Sequence, residues 1–283
     1  MTTVDRGPTS VGVGDLPNNT GTHTSIPIGI DGLPIIAYQD SFDDLKVAHC
    51  NDPACASATF SELDSGGFNG TAGEYTSIAI GQAGKPVISY HKKSGLLPVV
   101  GRLKLAFCED IACNSAVIAS VDTGGSSMGQ FTSLAVLPSG DPVISYYDGG
   151  PDDLKVAFYA GELCANPTAV TVDSLGNVGK YSSIAVGQDG RSVISYYDDT
   201  NDTLKFAHCG SSACSNPTIR TLGREGPVGL YTSIAIGGDG APIISYRDVL
   251  VNLLKITHCV DLLCNDVPQR ETRTVDVGGQ YSS

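Results

Sequence analysis

The chain contains no tryptophan, only two methionines, and few basic residues: 17 Lys and Arg against 30 Asp and Glu. The resulting formal charge of -13 disfavours nucleic acid and anionic membrane surfaces, both of which call for Lys and Arg. Without Trp, any stacking on sugars falls to the 12 tyrosines. No apolar run approaches the ~18 residues that span a bilayer, so no membrane insertion is expected. Residues Met1 to Pro8 lack the apolar core of a signal peptide, so an export signal would have been removed or would lie outside this sequence. What the sequence does have is 34 Gly and 15 Pro spread along its length, which points to many turns. Hydrophobic residues make up 41%, enough for a packed core in one large all-β domain of 283 residues.

Five segments align on one pattern, starting at His23, Tyr75, Phe131, Tyr181 and Tyr231. A period near 50 residues suggests a propeller or a solenoid. Each unit reads as four short strands. In the fourth unit these are Tyr181 to Val186, Val193 to Tyr197, Leu204 to Cys209 and Thr218 to Leu222, with an Asp-Gly turn at Asp189-Gly190. Alternation along Tyr75 to Ile80 leaves both faces uncharged, so each sheet must be covered on both sides. Val, Ile, Ser, Thr and Tyr dominate, which argues against helices. The expected fold is an all-β β-propeller of four-stranded antiparallel blades. Five blades spanning residues 23–276 are favoured, and a fragment of a six- to eight-bladed propeller is the alternative. Residues 1–22 resemble the end of a blade, because Thr2 to Asp5 matches Arg273 to Asp276, and residues 277–283 resemble the start of a further repeat.

The phrase Tyr231 to Tyr246, YTSIAIGGDGAPIISY, resembles a repeat of bacterial exported or surface β-propeller proteins, and close copies begin at Tyr75 and Tyr181. The resemblance implies a secreted, periplasmic or cell-surface module. Neither the Trp-Asp signature of WD40 blades nor the Asp-box of sialidase-type propellers is present.

Eight of the nine cysteines form four pairs of one spacing: Cys50–Cys55, Cys108–Cys113, Cys209–Cys214 and Cys259–Cys264. Across a hairpin this spacing suits disulfides, and with them an oxidising compartment. Where Tyr159 replaces the first cysteine, Cys164 is left as a free thiol. The rival is zinc, because His49, His208 and His258 each precede a cysteine. Each unit, however, offers at most three ligands where four are needed, and Phe107 and Phe158 replace His in two units. No metal is expected.

Asp40, Asp148, Asp198 and Asp248 close the second strand, and Lys46, Lys155, Lys205 and Lys255 follow on the third. One reading is a surface Asp–Lys pair in each unit; the other is a carboxylate ring that binds calcium or a polyol. The second unit keeps Lys104 but has His91 in place of Tyr and Lys93 near the Asp position. His91 and Arg247 break the repeat and complete the candidate ligand-binding set. Ser25, Ser77, Ser133, Ser183 and Ser233 recur on the first strand, either lining a channel or serving as small residues where blades crowd. The Gly-rich stretch Asp122 to Gly129 opens no helix, so it reads as a loop between blades and not a phosphate cradle. Leu96, Leu97, Val99 and Val100, with Val249, Leu250 and Val251, are apolar loop residues suited to self-association or a partner.

With no unique catalytic cluster, the favoured function is a non-catalytic module binding a glycan or a protein on its loop face or channel. A structural repeat unit of a larger assembly and a glycoside- or ester-cleaving propeller are the alternatives.

Overall fold

A computed structural model describes residues 20–95, 97–122, 124–125, 127–159, 167–223, 226–265 and 271–277. These form five four-stranded antiparallel sheets, each a meander in chain order. Blade one is β1 (Thr22–Ser25), β2 (Ile35–Gln39), β3 (Leu45–Cys50) and β4 (Ala58–Asp64). Blade two is β5 (Thr71–Ile80), β6 (Pro86–Lys93), β7 (Gly101–Cys108) and β8 (Ala116–Asp122). Blade three is β9 (Met128–Val136), β10 (Pro142–Asp148), β11 (Asp153–Phe158) and β12 (Thr168–Asp173). Blade four is β13 (Val178–Val186), β14 (Ser192–Asp198), β15 (Thr203–His208) and β16 (Thr218–Thr221). Blade five is β17 (Val228–Ile236), β18 (Pro242–Asp248), β19 (Leu253–His258) and β20 (Glu271–Val277). Five sheets match the five expected repeats. Residues 1–19 and 278–283, together with Leu96 and Cys164, lie outside the described residues.

The chain divides into two compact units, residues 1–130 and 131–283. In the first unit, Ile35, Ala37, Leu45 and Val47 of blade one pack against Ile78, Ile88 and Ala106 of blade two. In the second, Leu154 and Val156 of blade three meet Ile184 and Ile194 of blade four. There too, Val193, Leu204 and Phe206 of blade four meet Ile234 and Ile244 of blade five. Both sides of a sheet are therefore apolar because both are covered, as the alternation requires.

Local chemistry closes each turn. Between β13 and β14, Gly190 takes φ +73 and donates to Gly187 O at 2.9 Å, while Asp189 Oδ1 accepts from Arg191 N at 3.1 Å. That left-handed position is where glycine carries no steric penalty. The cysteines form the four expected disulfides.

The inner strand differs from expectation. In blades two to five it begins three or four residues before the repeat-starting aromatic, and its register shifts around that residue in β5, β13 and β17. His23, Tyr75, Phe131, Tyr181 and Tyr231 all have φ between +52 and +55, a left-handed conformation that large side chains rarely adopt. These are β-bulges, which bend the strand and re-aim the side chain.

Candidate site at Glu74

The recurring polar positions make contacts within the scaffold. Asp40, Asp148, Asp198 and Asp248 are 5%, 1%, 0% and 3% exposed, so these carboxylates are buried, while the side chains of their lysine partners stay 11–25% exposed. Asp198 Oδ1 accepts from the backbone N–H groups of Thr200 and Asn201 at 3.1 and 3.0 Å. Its Oδ2 takes Asn201 Nδ2 at 2.9 Å and Lys205 Nζ at 3.2 Å. Asp40 and Asp148 likewise combine backbone N–H groups with Lys46 and Lys155, and Asp248 sits 2.6 Å from Lys255. These carboxylates anchor the second hairpin. Among the described residues no group of three or more His, Cys, Asp or Glu could hold a metal ion.

The histidines preceding cysteines have partners too. His49, His208 and His258 each lie 2.9 Å from a turn carboxylate: Asp31, Asp189 and Asp239 respectively. With both cysteines in disulfides, the zinc arrangement has no thiolate left.

The inner-strand serines bind the next blade. The backbone N–H groups of Ile78, Ile184 and Ile234 donate to Ser25, Ser133 and Ser183 Oγ at 3.2, 3.2 and 3.1 Å. In the apolar loops, Leu97, Val99, Val249, Leu250 and Val251 are exposed and Val100 is half-buried. Arg247 Nη2 donates to Asn252 Oδ1 at 2.9 Å.

One cluster does break the repeat with acid–base groups. Glu74 lies on β5 between Gly73 and Tyr75, both left-handed, and opposite His91 on β6. The bulge turns its side chain onto His91 Nδ1 at 3.0 Å and Lys93 Nζ at 2.8 Å. His91 is fully buried, while Lys93 is 38% exposed and so faces water. The residues aligned with Glu74 are Thr22, Gln130, Lys180 and Leu230. Those aligned with His91 are Gln39, Tyr147, Tyr197 and Arg247. Register also corrects one alignment: Lys92, not Lys93, occupies the Asp position, and it pairs with Asp64 at 2.6 Å.

Aromatic rings adjoin the carboxylate. Tyr75 lies 4.8 Å from His23 and 6.1 Å from His91, centroid to centroid. Burial, helped by Lys93 and His91 and opposed by Glu74, lowers the His23 pKa. Burial pushes the Glu74 carboxyl up, but the hydrogen bonds and charges of His91 and Lys93 outweigh it and hold the pKa at about 2. Asp43, on the β2–β3 turn, moves the other way: burial, then the negative charges of Glu74 and Asp40, raise its pKa.

The Glu74 shift carries a pH signature. A carboxyl depressed in the folded state stabilises fully above its ordinary value of 4.5 and loses that contribution as pH falls toward 2. After screening by the water at Lys93, the contribution is about 1–2 kcal/mol. Thermal melts of wild type and Glu74→Gln should therefore differ most above pH 4.5 and converge below it. A constant difference down to pH 2 would refute the pairing.

The signal for this cluster in the sequence was departure from the repeat. His91 was singled out on that basis, but its partner Glu74 was not, because two bulges set which residue faces it.

No family model matches the chain, and no curated protein matches it in sequence. Solved structures do match. A protein of unknown function from Dyadobacter fermentans aligns with TM-score 0.60 and 13% identity over 89% of this chain and 74% of that one. An arginine-to-alanine mutant of AofleA from Arthrobotrys oligospora aligns with TM-score 0.59 and 10% identity, over 92% and 72%. A GH43 β-1,3-galactosidase with bound galactodeoxynojirimycin aligns with TM-score 0.55 and 10% identity, over 90% and 89%. Together with the five four-stranded sheets, these likenesses show the fold, an all-β five-bladed β-propeller.

Proposed function

We propose that this chain recognises a saccharide at the Glu74 cluster, as a module that works in an oxidising compartment outside the cytoplasm. The observation that carries the reading is a carboxylate kept ionised by His91 and Lys93 beside the half-buried ring of Tyr75 and the exposed ring of His23. Sugars are bound by this combination: an oxygen acceptor for hydroxyl groups and an aromatic edge or face for C–H surfaces. The four disulfides fit a secreted, periplasmic or cell-surface location.

The second reading is cleavage of a glycosidic bond. It is favoured by the opposed carboxyl groups, with Asp43 raised and Glu74 lowered, since glycoside hydrolysis divides acid and base roles between two such groups. The β-1,3-galactosidase among the matching structures lends this second reading more support than the first.

Titration calorimetry against neutral oligosaccharides, β-1,3-galactans among them, tests both. Binding by wild type and a loss of about 10–100-fold in Glu74→Gln are expected, a change of roughly 1.4–2.8 kcal/mol. Silence across the panel, or unchanged affinity in the variant, defeats the saccharide reading. Release of reducing sugar by wild type, abolished in Asp43→Asn and Glu74→Gln, selects cleavage; binding without release selects recognition alone.

A further inference from the structure

The β14–β15 hairpin of blade four borders a cavity of about 470 Å³, lined by Leu175, Asp198, Asn201, Thr203, Lys205 and Thr221. Every lining residue lies in the second unit. Two loops at its rim are pinned together: Asn177 N donates to Thr200 Oγ1 at 2.7 Å, and Asp199 N donates to Asn177 O at 2.8 Å. A preformed hollow of this size falls in the range of ~300–1,000 Å³ that small-molecule sites occupy. Two polar groups of the lining keep bonding capacity. Thr203 is 8% exposed, and its buried hydroxyl has no hydrogen-bond partner among the described residues. At the equivalent place blade one has Asp44, whose Oδ1 accepts from Gly66 N at 2.7 Å, and blade three has Asp153, so the orphan hydroxyl belongs to blade four and not to the repeat. Lys205, also 8% exposed, directs its ammonium at Asp173 at 2.7 Å and Asp198 at 3.2 Å, which accounts for two of its three N–H donors. Buried polar groups are nearly always paired, so these two call for an occupant.

Charge narrows the choice of occupant. Two carboxylates around one ammonium leave the floor of the cavity net negative, which repels an anion. Lys205 already holds the place between the carboxylates that a cation would take. What fits is a neutral, hydroxyl-rich molecule. Its hydroxyl groups both donate and accept, which suits Thr203, Lys205 and the half-buried Thr221, and its C–H surface suits Leu175, which is 77% exposed. We propose that this cavity binds a small neutral polyol, of the size of a single sugar ring. The Glu74 cluster belongs to the first unit and shares no residue with this cavity, so the inference does not depend on the reading given for that cluster.

Titration calorimetry of the full chain with glucose, galactose, arabinose and glycerol tests it, with amide chemical shifts followed by NMR. The Glu74→Gln protein should bind one equivalent of at least one of these, with shifts centred on Leu175 and on residues 201–205. Adding Thr203→Val, which removes the hydroxyl and keeps the shape, should weaken binding about 10-fold. It should not lower the melting midpoint, because the deleted hydroxyl has no partner in the free protein. Silence with all four compounds, unchanged affinity in the Thr203→Val protein, or a lower melting midpoint overturns the inference. Binding by wild type that disappears in Glu74→Gln alone also overturns it, and leaves the Glu74 reading standing. Binding here by a chain that ignores every oligosaccharide at Glu74 upholds it while that reading falls.

Discussion

Asp173→Ala should lower stability by about 3 kcal/mol, in the range for breaking a buried ion pair by removing one partner. Asp173 is 3% exposed. Its Oδ2 accepts from Tyr196 Oη and Lys205 Nζ, both at 2.7 Å, and its Oδ1 accepts from Leu175 N at 3.2 Å. Burial, followed by the Asp173 charge, holds the Tyr196 phenol well above its ordinary pKa, so it remains a donor. The substitution leaves the Tyr196 hydroxyl buried without that acceptor, and Lys205 keeps only Asp198 at 3.2 Å. In thermal denaturation the midpoint should fall by roughly 6–10 °C. Tyr196→Phe should cost about 1–2 kcal/mol, because the carboxylate keeps its other donors. The double variant should cost less than the sum of the two. A fall below about 2 °C for Asp173→Ala would mean that the Tyr–Asp–Lys group does not hold these blades together.

Gly229→Ala should be as damaging by a different route. Gly229 has φ +108, outside what an L side chain adopts, and a Cβ there would lie 2.7 Å from Leu204 Cα on the neighbouring blade. Backbone cannot swing aside as a flexible side chain can. Strain and clash together should cost about 3 kcal/mol or more, read as a lower urea midpoint or as loss of soluble protein. Gly238→Ala, with open space around its Cβ, is the control and should be close to neutral. Equal stability of the two variants would show that the inner strand can shift to admit a methyl group.

The repeat exposed the scaffold in the sequence because each blade solves the same problem with the same residues. Four strands and a turn glycine recur in all five blades, and a cysteine pair at fixed spacing in four of them. The bulge was harder to see. A glycine two residues before an aromatic reads as a loop entering a strand, whereas here it lies within the strand and both residues are left-handed. Glu74 was missed for that reason: facing His91 depends on register, and register depends on bulges.

Two couplings between distant positions are legible in the sequence. His49, His208 and His258 occur where the turn carries Asp31, Asp189 and Asp239, while Phe107 and Phe158 occur where it carries Ala83 and Ser139. The exchange of His for Phe follows the loss of a carboxylate and owes nothing to zinc. Likewise Gly223 replaces the strand-ending Asp seen at Asp64, Asp122 and Asp173, and blade five answers with Thr257 where the other blades have Ala. Tyr246 Oη lies 3.3 Å from Thr257 Oγ1. The Glu74 pairing had no such internal copy, because a site that departs from the repeat leaves nothing to compare it with.

The buried aspartates of the second hairpins have a consequence for how these proteins can diversify. In blades one, three, four and five the turn is tied at its base by a carboxylate that gathers backbone amides and a lysine, so the residues at its tip are not needed to close it. Blade four carries Asp199 and Thr200 at that tip and blade five carries Val249 and Leu250, on the same anchored frame. New recognition surfaces can therefore be written on the tips one blade at a time, while the framework beneath keeps its stability.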